Sequence, residues 1–297
     1  MENNDKIKTA EGDQTAVPNA VEGTVVTRQE EETVKPNLKK DRFNLKSSPA
    51  FSIVIIIMFT LGIVLLPGEK FGMLLGIKNS TDATNLGNAI FRAAGFAVAV
   101  LLCIDLGYDV FGFKGRGKGF LLSLPFIIVA VNNAPIYEFA TGTVKVTGSG
   151  LGVFYFALYC IFVGLFEEIV FRGIIQQLVL SKMKNTKKGI FWGVMITSAL
   201  FGAIHAVNYL SGNFGAVTMQ IGYSFLIGAM CSVVMLLTRN VFACAALHAG
   251  FNFAGMLADT LGTGQVWDAV NITLTAVVGV AAAAYAVVVF VKFMKVK

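Results

Sequence analysis

The sequence predicts an all-α, polytopic membrane protein with about eight transmembrane helices. Of its 297 residues, 55% are hydrophobic and 14% are charged, whereas charged residues make up about a quarter of an average soluble protein. After Ala50 the apolar residues come in blocks close to the ~20 residues that a helix needs to cross a bilayer. Lys and Arg collect between these blocks, as they do in the loops of membrane proteins. We therefore expect an integral, multi-pass protein of the cell membrane.

The N-terminal segment, residues 1–47, differs from the rest of the chain. It is polar and mixed in charge, it holds nine of the eighteen acidic residues, and it lacks the apolar stretch of a cleavable signal peptide. Such a composition cannot bury enough apolar surface to offset the entropy lost on ordering. We expect a disordered cytoplasmic tail at 1–47, followed by an eight-helix membrane domain at 48–297.

Eight candidate spans follow in the membrane domain. They lie at about 50–67, 87–107, 119–135, 151–179, 188–209, 214–237, 240–258 and 268–292. The third is short, and Pro125 and Pro135 are expected to kink or end it because proline disrupts a helix interior. The second carries Arg92 near its start, which must either pair or extend to the membrane surface.

Basic residues indicate the orientation of the chain. They precede the first span, fill the second, fourth and sixth connections, and follow the last span, whereas the odd-numbered connections carry only Lys70, Lys78 and Lys145. Because positive residues favour the cytoplasmic side, both termini are predicted to be cytoplasmic. The net charge of +6 is thereby explained by topology, and no nucleic acid partner is expected.

The fourth predicted span contains an acidic pair, Glu167 and Glu168, within the apolar run 161–178. Ionisable groups at membrane depth usually face a bundle interior or a wet cavity. Adjacent residues point about 100° apart on a helix, so the two glutamates are expected to have different roles. Glu168 and Arg172 have the i, i+4 spacing of an intrahelical ion pair that supports the site. Glu167 has no such partner and is the candidate general base.

The chain contains two histidines, His205 and His248, and both lie inside predicted spans. Phe201 precedes His205 by one helical turn, and Asn252 follows His248 at i+4, on the same helix face. The rise per residue places Glu167 and His205 at similar depths, with His248 shallower. Glu167 and His205 could hold and activate a water molecule. His248 and Asn252 could donate hydrogen bonds to the oxyanion that forms when water attacks an amide.

Three short motifs resemble a known family. EEIVFR at 167–172, FGAIH at 201–205 and HAGFN at 248–252 are similar, in order and spacing, to the EExxxR, FxxxH and HxxxN motifs of the CPBP family. This family contains the type II CAAX prenyl endopeptidases and the bacteriocin-processing or immunity membrane proteins also called Abi proteins. The resemblance covers about 150–258 and implies an eight-helix hydrolase of peptide bonds, with its active site in an intramembrane cavity.

The resemblance also implies residue roles. Glu167 and His205 would activate the water, and His248 and Asn252 would stabilise the oxyanion. The family has been described both as metalloproteases and as metal-independent glutamate proteases. We expect no metal and no other cofactor; the alternative is zinc held by Glu167, His205 and His248, a plausible two-histidine, one-carboxylate set.

Two other classes of function stay open at this point. One is a non-catalytic bacteriocin-immunity or peptide-binding membrane protein, which would not need the complete set of Glu, His, His and Asn. The other is a transporter that uses the carboxylates as a proton site, and the lack of evident repeated halves counts against it. The expected partners are the lipid bilayer and a peptide or protein substrate, and no oligomeric state is predicted.

Overall fold

The computed structural model describes residues 48–264, 266 and 268–293, so the predicted tail at 1–47 lies outside the described residues. The helices are α1 Pro49–Val64, α2 Gly68–Leu74, α3 Ser80–Asp105, α4 Gly117–Ser123, α5 Ile127–Asn132, α6 Ile136–Thr141, α7 Gly150–Glu168, α8 Gln176–Lys182, α9 Lys187–Ile204, α10 Phe214–Thr238, α11 Val241–Leu261 and α12 Ala269–Phe293. Two short strands, β1 Lys145–Val146 and β2 Gly262–Thr263, pair antiparallel. The predicted all-α class is confirmed.

Six helical segments of the described chain are long and apolar enough to cross a membrane, or seven if α1 and α2, which are bent by 47°, count as one span. The six are α3, Gly150–Lys182, Lys187–Leu210, α10, α11 and α12. The predicted third span corresponds to the shorter apolar segment Gly117–Asn132. A 3₁₀ turn at Leu124–Phe126 interrupts it at Pro125, where a kink was expected. The prediction of about eight spans is thus consistent with the structure.

Polar residues in the connections set where several of these helices begin. At the start of each such helix, a side-chain oxygen accepts a hydrogen bond from a backbone N–H of the first turn, which would otherwise lack a partner. These capping residues are Asn79, Ser149, Thr186, Asn213 and Asn240, at the starts of α3, α7, α9, α10 and α11. Local sequence therefore determines the helix boundaries around the acidic pair and both histidines.

The core is built around one continuous helical stretch, Gly150–Lys182. Helices α3 and α11 pack along its first part, and α9 and α10 pack against each other beside it. Every residue from 168 to 180 is buried. By contrast, only Asn271 and Val289 are buried in α12, an apolar helix whose remaining surface suits contact with lipid. This arrangement places the acidic pair in the interior of the bundle.

Arg92 of α3 does not extend to the membrane surface. Its side chain is buried, Nη1 donates to the carbonyl oxygen of Ile63 at 2.9 Å, and Nη2 lies 3.5 Å from the carbonyl oxygen of Val64. Both carbonyls belong to the last turn of α1, where the regular i+4 donors of an α-helix are missing. Arg92 thus pairs with the backbone end of a neighbouring helix.

Candidate active site

The helix that carries the acidic pair changes geometry directly after it. Following Glu168, residues Ile169–Ile175 form a π-helical segment that contains Arg172, and α8 then resumes the α-helical form. π-helical turns are rare and are frequently found at functional sites. A regular α-helix was expected over this stretch, and the π-helical segment was not predicted.

Glu168 has two partners in the interior of the protein. Its Oε1 lies 3.1 Å from Arg172 Nη1 and 2.9 Å from His248 Nδ1, and the side chains of Glu168 and Arg172 have no exposed surface. The ion pair with Arg172 is the one expected from the i, i+4 spacing. The contact with His248 links α7 to α11 across 80 positions of sequence, and sequence reasoning missed it.

Close approach of α7 and α11 makes this contact possible. A Cβ atom at Gly164, one turn before Glu168, would lie 2.7 Å from the carbonyl oxygen of Ala245 and 3.1 Å from the backbone nitrogen of Ala249. A side chain at this position would therefore push the two backbones apart. The glycine allows α11 to bring His248 within hydrogen-bonding distance of Glu168.

The two glutamates contact opposite nitrogens of the same imidazole. Because an ionised carboxylate only accepts hydrogen bonds, the Nδ1–H of His248 donates to Glu168. The other nitrogen, Nε2, lies 3.9 Å from Oε2 of Glu167, which is longer than a hydrogen bond. Among the described residues, Oε2 of Glu167 has no hydrogen-bond partner. Glu167 is therefore left with an uncommitted oxygen, as a catalytic base requires.

His205 is held in one tautomer by its own helix. Its Nδ1 lies 2.9 Å from the carbonyl oxygen of Phe201, and a carbonyl oxygen only accepts hydrogen bonds, so the proton is on Nδ1. In the neutral ring, Nε2 then carries a lone pair that can accept a proton or a hydrogen bond. His205 is also the residue at which α9 gives way to the 3₁₀ turn His205–Leu210.

The ring of Phe201 joins the separate parts of the site. It is buried, its centroid lies 4.3 Å from the guanidinium carbon of Arg172, and its ring makes edge contacts with His205 at 5.3 Å and with His248 at 5.6 Å. Aromatic edge contacts and a cation over a ring face are both favourable. Phe201 thus packs against both imidazoles and covers the guanidinium of Arg172.

A cavity of about 290 Å³ brings the four predicted catalytic residues together: Glu167, His205, His248 and Asn252 all line it. Glu168 and Arg172 lie behind its wall. The side-chain amide of Asn252 makes no hydrogen bond to the described residues and is available to a ligand. Their convergence is a finding of the structure, while their catalytic roles stay predictions.

Several polar residues of the same cavity were not predicted. They are Asn88, Arg92, Tyr159, Asn208, Gln220 and Tyr223. Asn208 and Gln220 hydrogen-bond each other at 2.8 Å. Arg92 is a charged group at membrane depth, the same signal that singled out the acidic pair. Its connection to the site was missed because it lies on α3, outside the three motifs.

The zinc alternative at Glu167, His205 and His248 stays a prediction. In the described part of the chain, no three His, Cys, Asp or Glu side chains are grouped closely enough to hold a metal ion. Glu167 and His248 are neighbours, and His205 lines the same cavity.

Comparison with known proteins agrees with the resemblance drawn from the motifs. Residues 149–254 match the family model described as type II CAAX prenyl endopeptidase Rce1-like. The matched region runs from the residue that caps α7 into α11 and contains all three motifs. No curated protein and no solved structure matches the chain significantly. The family match supports a membrane protease of the CPBP family.

Proposed function

We propose that this CPBP-type membrane protein is an intramembrane endopeptidase that hydrolyses peptide bonds of membrane-associated peptides or proteins. The observation that carries the proposal is the convergence of Glu167, His205, His248 and Asn252, from three helices, on one cavity inside an apolar bundle. The Rce1-like match supports the same class of reaction. Both termini are proposed to be cytoplasmic, which an activity reporter fused to the C-terminus would test.

Water is the proposed nucleophile. The uncommitted oxygen of Glu167 accepts a proton from the water, while the Nε2 lone pair of His205 accepts its second hydrogen bond and orients it. The water oxygen attacks the carbonyl carbon of the scissile peptide bond. Glu167 then returns the proton to the leaving amine, so that protons balance and Glu167 regains its charge.

His248 and Asn252 are proposed to stabilise the oxyanion. Because the Nδ1 proton of His248 is engaged by Glu168, donation from Nε2 requires a ring protonated on both nitrogens. With that ring charged, the formal charges of Glu167, Glu168, Arg172 and His248 sum to zero. The charges then balance within this group of four side chains, which lowers the cost of burying them at membrane depth.

Mapping of peptide termini tests whether the protein is a protease. Wild type and Glu167→Ala would be expressed at matched levels, and new termini in membrane and secreted fractions would be identified. New termini are expected with wild type alone, and Glu69→Ala, which removes an exposed carboxylate on α2, is expected to behave as wild type. Identical termini with wild type and a folded Glu167→Ala variant would contradict proteolysis and favour a non-catalytic, peptide-binding immunity protein.

Asn252→Ala is expected to lower kcat by about 10²- to 10³-fold, the effect typical of losing one oxyanion donor, with little change in KM. The measurement is steady-state cleavage, by purified protein in liposomes, of a substrate found by terminus mapping. Asn213→Ala, which removes an asparagine at the start of α10 and outside the cavity, is the control. An unchanged kcat would show that Asn252 does not stabilise the transition state.

A further inference from the structure

Arg92 is a buried cation that has no acidic partner in the part of the chain that the structure describes. It lines the catalytic cavity and is 5% exposed. No carboxylate of the described residues pairs with it, and its Nε has no hydrogen-bond partner among them. Of the five N–H donors of a guanidinium, two point to the carbonyls of Ile63 and Val64. The other donors are not committed to these two carbonyls.

The second buried arginine of this bundle shows the opposite arrangement. Arg172 lies behind the cavity wall, fully buried, and Glu168 neutralises it. A buried guanidinium without a counter-ion is costly in an apolar environment. Among the described residues, an acidic partner is therefore present where the arginine is closed off, and none is present where the arginine faces the cavity. This contrast indicates that the partner of Arg92 arrives from outside.

The helix crossing places Arg92 close to the catalytic carboxylate. Helix α3 packs against α7 at Gly95, one turn after Arg92, where an added Cβ atom would lie 2.8 Å from the ring of Phe166. Phe166 is adjacent to Glu167. Asn88, one turn before Arg92, lines the same cavity and is on the same helix face. The polar face of α3 and the base Glu167 therefore border one small space.

We propose that Arg92, assisted by Asn88, is a subsite that binds a carboxylate of the peptide substrate close to the scissile bond. The proposal rests on the proposed peptidase function and narrows its substrates to peptides with an acidic group near the cleavage site. A guanidinium binds a carboxylate through two parallel hydrogen bonds, and Arg92 keeps N–H groups beyond the two directed at the α1 carbonyls. The carboxylate is either the C-terminal group or an acidic side chain.

The test compares forms of one substrate that differ in their carboxylates. A peptide found by terminus mapping would be prepared with its native groups, with an amidated C-terminus, and with its acidic side chains changed to amides. For wild type, loss of the recognised carboxylate is expected to raise KM about 10- to 100-fold, as for the loss of a hydrogen bond to a charged group. Which form loses affinity identifies the source of the carboxylate.

Arg92→Gln is expected to raise KM for the native peptide and to abolish the difference between the forms. Glutamine keeps an amide donor for the α1 carbonyls, and Arg92→Lys, which keeps the charge, is expected to restore part of the preference. Lys70→Gln removes a positive charge from the exposed surface of α2. This control variant is expected to keep the wild-type preference for the native peptide.

Two results overturn the inference, and they are distinguishable. In the first, wild type cleaves all forms of the peptide with the same KM, or Arg92→Gln lowers the cleavage of all forms equally. Arg92 then only caps the end of α1. If wild type cleaves none of them and produces no new termini in membranes, the proposed peptidase function fails as well.

Discussion

Glu167→Gln is expected to lower kcat by about 10²- to 10⁴-fold, the contribution typical of a positioned general base. Glutamine keeps the size and one carbonyl oxygen of the side chain but cannot accept the proton of the attacking water. The fold should be preserved, because Oε2 of Glu167 has no hydrogen-bond partner among the described residues and lies 3.9 Å from Nε2 of His248. The measurement is steady-state cleavage by purified protein in liposomes.

Glu69→Gln is the matched control for this substitution. It makes the same chemical change at an exposed position of α2, so its kcat should equal that of wild type. The unfolding midpoint of Glu167→Gln should also remain near that of wild type, which separates loss of chemistry from loss of structure. A folded Glu167→Gln variant that cleaves at the wild-type rate would refute its role as the base.

Arg172→Met is expected to lower the free energy of unfolding by about 3–5 kcal/mol, because it leaves the carboxylate of Glu168 buried with one partner fewer. Arg172 is fully buried and lies over the ring of Phe201, so water cannot replace the lost contact. Denaturant unfolding in lipid–detergent micelles would measure the change. Lys182→Met, at the exposed end of the same helical stretch, should change it by no more than about 0.5 kcal/mol.

The double substitution Glu168→Met, Arg172→Met separates stability from activity. Replacing a buried ion pair by apolar side chains of similar size is often neutral or stabilising, so most of the lost stability should return. Activity should not return, because Nδ1 of His248 loses the carboxylate that orients the ring and balances its charge. Recovery of both properties would show that the contact between Glu168 and His248 is dispensable for catalysis.

The local part of the site could be predicted from sequence. The ion pair between Glu168 and Arg172 follows from the i, i+4 spacing of a helix, and the 3₁₀ break near Pro125 follows from the missing N–H of proline. The match of the three motifs to one family model depends on residue identity and order alone. Each of these features depends only on residues that are close together in the sequence or that belong to one motif.

The rest of the site could not be predicted from the sequence, because it depends on how the helices pack against one another. Three features of the site join residues on different helices. They are the contact of His248 with Glu168, the position of Phe201 between the imidazoles and Arg172, and the opening of Arg92 onto the cavity.

The sequence by itself therefore determined which residues are helical, which are charged at membrane depth, and which could perform the chemistry. Tertiary structure alone decided how these helices rotate and how closely they approach. The close contact of α7 with α11 at Gly164 depends on the side chains of both helices together. The hydrophobic period of a single helix shows which face is buried but not which partner it meets.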